Sequence, residues 1–165
     1  MSRPDDKPPP VDSQTFRKAC AQFATGVAVA TVRAEDGAPH GLTVNSFTSV
    51  SLQPPLVLIC IGHECQILPH FQRAPFFALN ILTAEQQELS VLFARRTDNR
   101  FEDRPWREGV TGAPLIPGTL ASIECRRVNL IDAGDHTIVL GEMVAAAIYT
   151  GSPLIYFNQS YRSIW

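Results

Sequence analysis

The stretch Gly41–Gly62, GLTVNSFTSVSLQPPLVLICIG, decides how this chain folds. Its second half, Leu56 to Ile61 (LVLICI), places six apolar residues in a row. That is the pattern of a strand buried on both faces, because neither alternating face is polar. Its first half, Thr43 to Leu52, is β-prone, but Asn45, Ser46, Thr48, Ser49 and Ser51 do not alternate cleanly. Pro54 and Pro55 cannot lie inside a central strand, so they mark the turn between the halves. A hydroxyl-rich strand beside an apolar one is either an ordinary hairpin with a solvated face or a sheet edge that holds a polar ligand.

The segments on either side extend this hairpin. Val27 to Arg33 reads as a strand, and Glu35-Asp36-Gly37 is a turn signal. Three strands, 27–33, 42–52 and 56–61, are then consecutive and close in sequence, which favours antiparallel pairing because parallel neighbours need a long crossover. Upstream, Asp12 or Ser13 is placed to cap a helix whose apolar face is Phe16, Ala19, Cys20 and Phe23, ending near Gly26. Residues 1–12 carry four prolines and almost no apolar content and are expected to form a disordered tail, leaving 13–165 as the folded domain.

Downstream, residues 63–72 predict a short helix broken around Pro69, and Phe76 to Ile81 a strand. Thr83 with Gln86 three residues on is a capping-box pattern ahead of a helix with Leu89, Leu92 and Phe93 on its apolar face. Residues 95–119 read as an extended surface loop, a length that is often functional. Leu120 to Val128 and Asn129 to Ala133 predict a strand with a break, 134–137 a turn, and Thr137 to Ile148 a long strand with a bulge at Gly141. The sum is six or seven antiparallel strands with two or three flanking helices, most simply closed as a small β-barrel.

The chain has 165 residues, of which 45% are hydrophobic, enough for one domain with a true core. A net charge of −2 gives no electrostatic support for nucleic-acid binding. No apolar run approaches the roughly 20 residues of a membrane helix, and the N-terminus lacks a secretory pattern. The cysteines at 20, 60, 65 and 125 are therefore expected as reduced thiols in a cytoplasmic protein. Cys60, His63, Cys65 and His70 fit no common zinc spacing, so no metal site is expected.

Single residues that could carry chemistry each have an ordinary alternative. His136, between Asp135 and Thr137, is either an acid, base or hydrogen-bond donor near neutral pH or an exposed turn residue. Arg100 beside Phe101 could pair with a phosphate and stack a ring, or belong to a solvated basic loop with Arg95, Arg96, Arg104 and Arg107. Asn80, at a strand-to-helix junction, could meet a ligand or cap the junction. Tyr156, Phe157, Tyr161 and Trp165 form an aromatic group suited to a core or dimer contact.

The order of segments is more specific than any one of them. FRKACAQFATGVAVATV, HGLTVNSFTSVSLQPPLVLICIG, FALNILTAEQQELSVLFA, RF, GDHTIVLGEM and PLIYFNQSYR follow one another from Phe16 to Arg162. Together they closely resemble the short-chain flavin reductases that serve two-component monooxygenases. The resemblance implies a split β-barrel, usually a homodimer, that binds FMN or FAD and takes a hydride from NADH or NADPH. It implies a partner monooxygenase reached by diffusing reduced flavin. It places Thr43, Val44, Asn45 and Ser46 along the flavin ring, with Val50 and Ser51 after them and Cys60 and Ile61 at the flavin edge. Asn80, Ile81 and Leu82 match the junction that meets the cofactor, Arg100 and Phe101 the loop's RF pair. His136 matches a histidine on the nicotinamide side, and Tyr161 and Arg162 a terminal element near the same cleft. His63-Glu64-Cys65 departs from relatives, which carry a serine or a basic residue in this phosphate-facing region. Cys65 is retained as a cofactor contact, while an inward Glu64 would repel phosphate. A flavin-binding carrier or sensor on the same barrel is the alternative function.

Overall fold

The computed structural model describes residues 8–97 and 100–162. Residues 8–12 of the expected tail are exposed and without regular structure, and the remainder of that tail lies outside the described residues. Helix α1 (Ser13–Cys20) starts where Asp12 accepts hydrogen bonds from the Gln14 and Thr15 backbone N–H groups at 2.9 and 3.0 Å. This satisfies two of the donors a helix start leaves open. The Thr15 hydroxyl also donates to this carboxyl and, as the largest cause, holds it below the usual carboxylate range. No residue of α1 is buried.

The main sheet comprises β2 (Ala28–Arg33), β3 (Pro39–Val44), β4 (Thr48–Leu52), β5 (Pro55–Gly62), β6 (Phe76–Ile81), β9 (Ala121–Ala133) and β10 (His136–Ile148). Its spatial order is β3-β2-β6-β9-β10-β5-β4, antiparallel at every step. The two edge strands are β3 and β4, and only Asn45, Ser46 and Phe47 join them. A flat sheet would hold its edges six strand spacings of nearly 5 Å apart, roughly 29 Å, which three residues cannot bridge. The sheet must therefore curl until its edges meet, and the barrel is split where they do.

The small elements cover this barrel. They are β1 (Thr25–Gly26), α2 (Leu68–Arg73), α3 (Gln87–Ala94), β7 (Arg107–Glu108), β8 (Pro114–Leu115), β11 (Ile155–Phe157) and β12 (Ser160–Arg162). Strands β11 and β12 form a hairpin that pairs with β1. The capping box at Thr83 and Gln86 is present and leads through a short 3-10 turn into α3.

Several expectations are corrected. The run 42–52 is not one strand: pairing stops at Val44 and resumes at Thr48. LVLICI is not buried on both faces. Val57, Ile59 and Ile61 enter the core, while Leu56, Leu58 and Cys60 lie half-exposed outside. Pro69 does not break a helix over 63–72; it occupies the first turn of α2, where its missing N–H costs nothing. The 95–119 loop contains the β7–β8 ribbon, and residues 113–116 are buried. Strand β9 runs unbroken, with Val128 as the extra residue of a bulge opposite Leu140 and Gly141. At Gly141 a Cβ would fall 2.5 Å from the Phe77 ring, so only glycine permits that approach. His136 is the first residue of β10 rather than part of the turn.

Among the described residues, two large clusters and a small one of Ala78, Ala113 and Leu115 hold the structure. Inside the barrel, Ala30, Val32, Ile59, Ile61, Phe71, Phe77, Leu79, Cys125 and Val139 pack together. On the opposite side of β2, Val29 joins Val27, Leu82, Phe93, Ile116 and Leu154 in a second cluster. Burying each large side chain contributes about 1.5–3 kcal/mol.

Candidate functional site at the barrel split

At the split one hydroxyl stands where the ladder would continue. Thr48 faces Leu58 and Ser49 faces Val57, so continued pairing would set residue 46 opposite Cys60. There the Ser46 Oγ accepts from the Cys60 N–H at 2.9 Å and donates to the Cys60 carbonyl at 3.3 Å. The side chain does what a backbone pair would do, and the chain from Asn45 to Phe47 runs outside the ladder. On the β3 side, the Thr43 hydroxyl donates to the Ser90 carbonyl of α3 at 2.6 Å, and the Ser90 hydroxyl meets Tyr161 Oη at 2.8 Å.

Beside the split lies a cleft of about 380 Å³. Phe23, Thr25, Val44, Asn45, Phe47 and Ile81 line much of it. Its wall is largely apolar, yet the buried Thr25 Oγ1 has no hydrogen-bond partner. A buried hydroxyl without a partner costs about 1–3 kcal/mol, and this one lies in the wall of the cleft. A larger open groove of about 460 Å³ lies at the other end of β2 and β3, among Arg33, Glu35, Asp36, His70 and Arg73. Its lining mixes these side chains with Ala34, Ala74 and Pro75 and includes no orphaned buried atom among the described residues.

The far end of β5 meets the β9–β10 turn. His136 pairs with Gly62, and its Nε2 lies 3.6 Å from where a Gly62 Cβ would stand. Asp135 holds His136 Nδ1 at 2.6 Å, and this hydrogen bond is the main cause that keeps the Asp135 carboxyl below its ordinary range. The His63 N–H donates to the Asp135 carbonyl at 2.9 Å, and His63 Nε2 lies 3.1 Å from Asp132. His136 is thus oriented by one carboxylate with its other nitrogen toward Gly62.

The remaining expected residues do not all converge on the cleft. Val44, Asn45 and Ile81 line the cleft, and Ser46, between the lining residues Asn45 and Phe47, is bonded to Cys60. Val50 and Ser51 sit on β4, which is exposed along its whole length. Ile61, Asn80 and Leu82 are core residues. Asn80 is fully buried: its amide donates to the Val29 carbonyl and Thr31 hydroxyl, and its carbonyl accepts from the Ile116 N–H at 2.8 Å. With both ends taken by protein groups, Asn80 positions the 114–116 segment rather than a ligand. Phe101 lies edge-on to Phe93 and Trp106 in the second cluster, and Tyr161 lies edge-on to Tyr156. Arg100 is buried, donates to the Arg95 carbonyl and leaves its Nε without a partner. Arg162 is exposed. Trp165 lies outside the described residues.

Cys65 is half-buried against the barrel core. Of the other cysteines, Cys20 is exposed, and burial pushes the Cys125 thiol up to about 12. His63 turns to Asp132 and His70 stacks on His40 with ring centres 3.8 Å apart, and among the described residues no group of three metal-binding side chains converges. Sequence reasoning missed Phe23, Thr25 and Phe47 as lining residues. The break in alternation at 45–47 was the signal for Phe47, while Thr25 gives none until the fold closes.

The family model of the flavin reductase like domain matches residues 20–164. This chain belongs to the flavin reductase family. It is 46% identical over 150 residues to an FMN reductase (NADH) of Agrobacterium fabrum, covering 91% of this chain and 85% of that protein. It is 42% identical over 148 residues to the reductase component of a flavin-dependent trigonelline monooxygenase of Acinetobacter baylyi, covering 88% of this chain and 47% of that protein. Among solved structures, the NADH:FAD oxidoreductase of Streptomyces globisporus in complex with NAD and FAD fragments superposes with a TM-score of 0.86 at 38% identity, covering 92% of each chain. The split barrel is therefore the fold of this flavin reductase.

Proposed function

We propose that this flavin reductase moves a hydride from reduced nicotinamide, NADH or NADPH, to FMN or FAD at the barrel split. The observation that carries the site is the apolar cleft with an orphaned Thr25 hydroxyl and unladdered backbone at Asn45–Phe47. A flavin ring is apolar at one end and rich in hydrogen-bonding nitrogen and oxygen at the other, and these residues suit both ends. Flavin, when bound, supplies the redox chemistry, and the protein's task is to position it. Phe23, Val44, Phe47 and Ile81 exclude water from one end. The free backbone of Asn45–Phe47 and the Thr25 hydroxyl hold the other. His136, fixed by Asp135 beside Gly62, is assigned to the nicotinamide side. No acid–base relay is needed, because proximity and orientation supply most of the rate gain.

The relatives include a reductase component of a monooxygenase, so the reduced flavin released here is assigned to a partner oxygenase. We assign a homodimeric state on the apolar surface left open: Phe16 and Phe23 are 61% and 78% exposed, and Leu52 on β4 is 83% exposed. An isolated helix as short as α1 is marginal in water, and a second copy over its apolar face would hold it. Free thiols among the described residues agree with a cytoplasmic setting.

The test is a nicotinamide oxidation assay with NADH and NADPH each crossed against FMN, FAD and riboflavin. Saturable, enzyme-dependent oxidation supports the reading and names both substrates. Flavin binding without turnover would replace it with a carrier module.

A further inference from the structure

We infer that Ser46 is a positioning residue that keeps the split open, rather than a group that touches the flavin. The inference rests on the flavin reading above. A hydroxyl has one proton and two lone pairs. In Ser46 the proton goes to the Cys60 carbonyl and one lone pair takes the Cys60 N–H. Nothing is left to donate to a ligand. An antiparallel hydrogen-bonded pair exchanges two N–H···O bonds between facing backbones. Here one side-chain oxygen performs both exchanges for Cys60, at the position where β4 would otherwise continue. The consequence is geometric. The 45–47 backbone stands one side chain away from β5, outside both ladders.

Residue choice follows from this. Threonine has the same hydroxyl and preserves both bonds, whereas alanine leaves the Cys60 N–H and carbonyl without their partner. Loss of this bridge removes the spacing that the flavin needs. Asn45 and Phe47, on either side, line the cleft and are the residues being spaced.

The test compares Ser46→Ala, Ser46→Cys and Ser46→Thr in the full chain. Two quantities are read: FMN and FAD dissociation constants by fluorescence quenching, and amide exchange of Cys60 in the flavin-free protein. Ser46→Ala should weaken flavin binding about tenfold or more and raise Cys60 exchange by a similar factor. Ser46→Thr should restore both to within about threefold, and Ser46→Cys, a weak donor, should fall between. A Ser46→Ala protein that binds flavin as tightly as wild type overturns the inference. So does one that loses flavin while Cys60 exchange is unchanged, because the hydroxyl would then act by direct contact. Should Ser46→Ala not fold, Ser46→Cys carries the same two readings. Wild-type protein that binds no flavin overturns the underlying reading instead, and the Cys60 exchange then still decides whether Ser46 replaces the ladder.

Discussion

Asn80, on β6, and Asn45, at the split, differ in how their surroundings satisfy polar groups. Asn80 is fully buried, every hydrogen bond it makes goes to a protein group, and it is the partner of the Ile116 N–H. Asn45 is exposed at the split, beside a cleft whose buried Thr25 hydroxyl has no partner. A fully satisfied polar network fixes a fold. On the proposed reading, the unsatisfied Thr25 hydroxyl beside the apolar wall is where something else binds. The same contrast holds for Glu124, which is buried yet accepts from the Val110 and Thr111 N–H groups and the Thr111 hydroxyl.

The contrast breaks most visibly at Asn80. Asn80→Ala should cost about 3 kcal/mol, because it strands the Ile116 N–H and opens a cavity. Chemical denaturation reads it, and a loss below about 1 kcal/mol would mean that the network is not structural. Tyr161→Phe removes one hydroxyl from the link through Ser90 to α3, so a loss of about 1 kcal/mol is expected in the same experiment. Thr25→Val should do the reverse of Asn80→Ala. Stability should be unchanged or slightly raised, since an orphaned polar atom is lost, while flavin affinity falls by about threefold to tenfold. Equal affinity would show that the hydroxyl meets no ligand.

The smallest effect concerns pH at the β9–β10 turn. The Asp135 carboxyl is held below 3.8, chiefly by its hydrogen bond to His136. Its contribution is therefore present above the ordinary carboxylate value and lost as pH falls through the lower, folded one. In His136→Ala the Asp135 carboxyl should titrate back toward 3.8, followed by carboxyl NMR. An unmoved titration would show that the pair does not form in solution.

Much of this was legible in the sequence. Strand β6, the capping box and the Asp12 cap follow from local rules, because turn chemistry and capping depend on neighbours in the chain, whereas the irregularity expected at Gly141 is a bulge in the facing strand at Val128. What failed depended on closure. LVLICI looks doubly buried, yet its outer face is half-exposed, whereas β2 (AVATVR), with Thr31 inside it, is buried on both faces. Composition cannot report that β2 lies between the barrel core and α3. The site divides the same way. The 43–46 segment was visible as a broken alternation. The reassignment of Asn80 to the core, and the roles of Thr25 and Ser90, needed residues distant in sequence to be brought together.

The most direct test of the split as the flavin site is amide exchange across the whole chain with and without FMN or FAD. The account predicts slowed exchange at residues 43–48 and 60–65, with the charged groove around 33–36 and 70–75 unchanged. Flavin binding that protects that groove and leaves 43–48 untouched would contradict it.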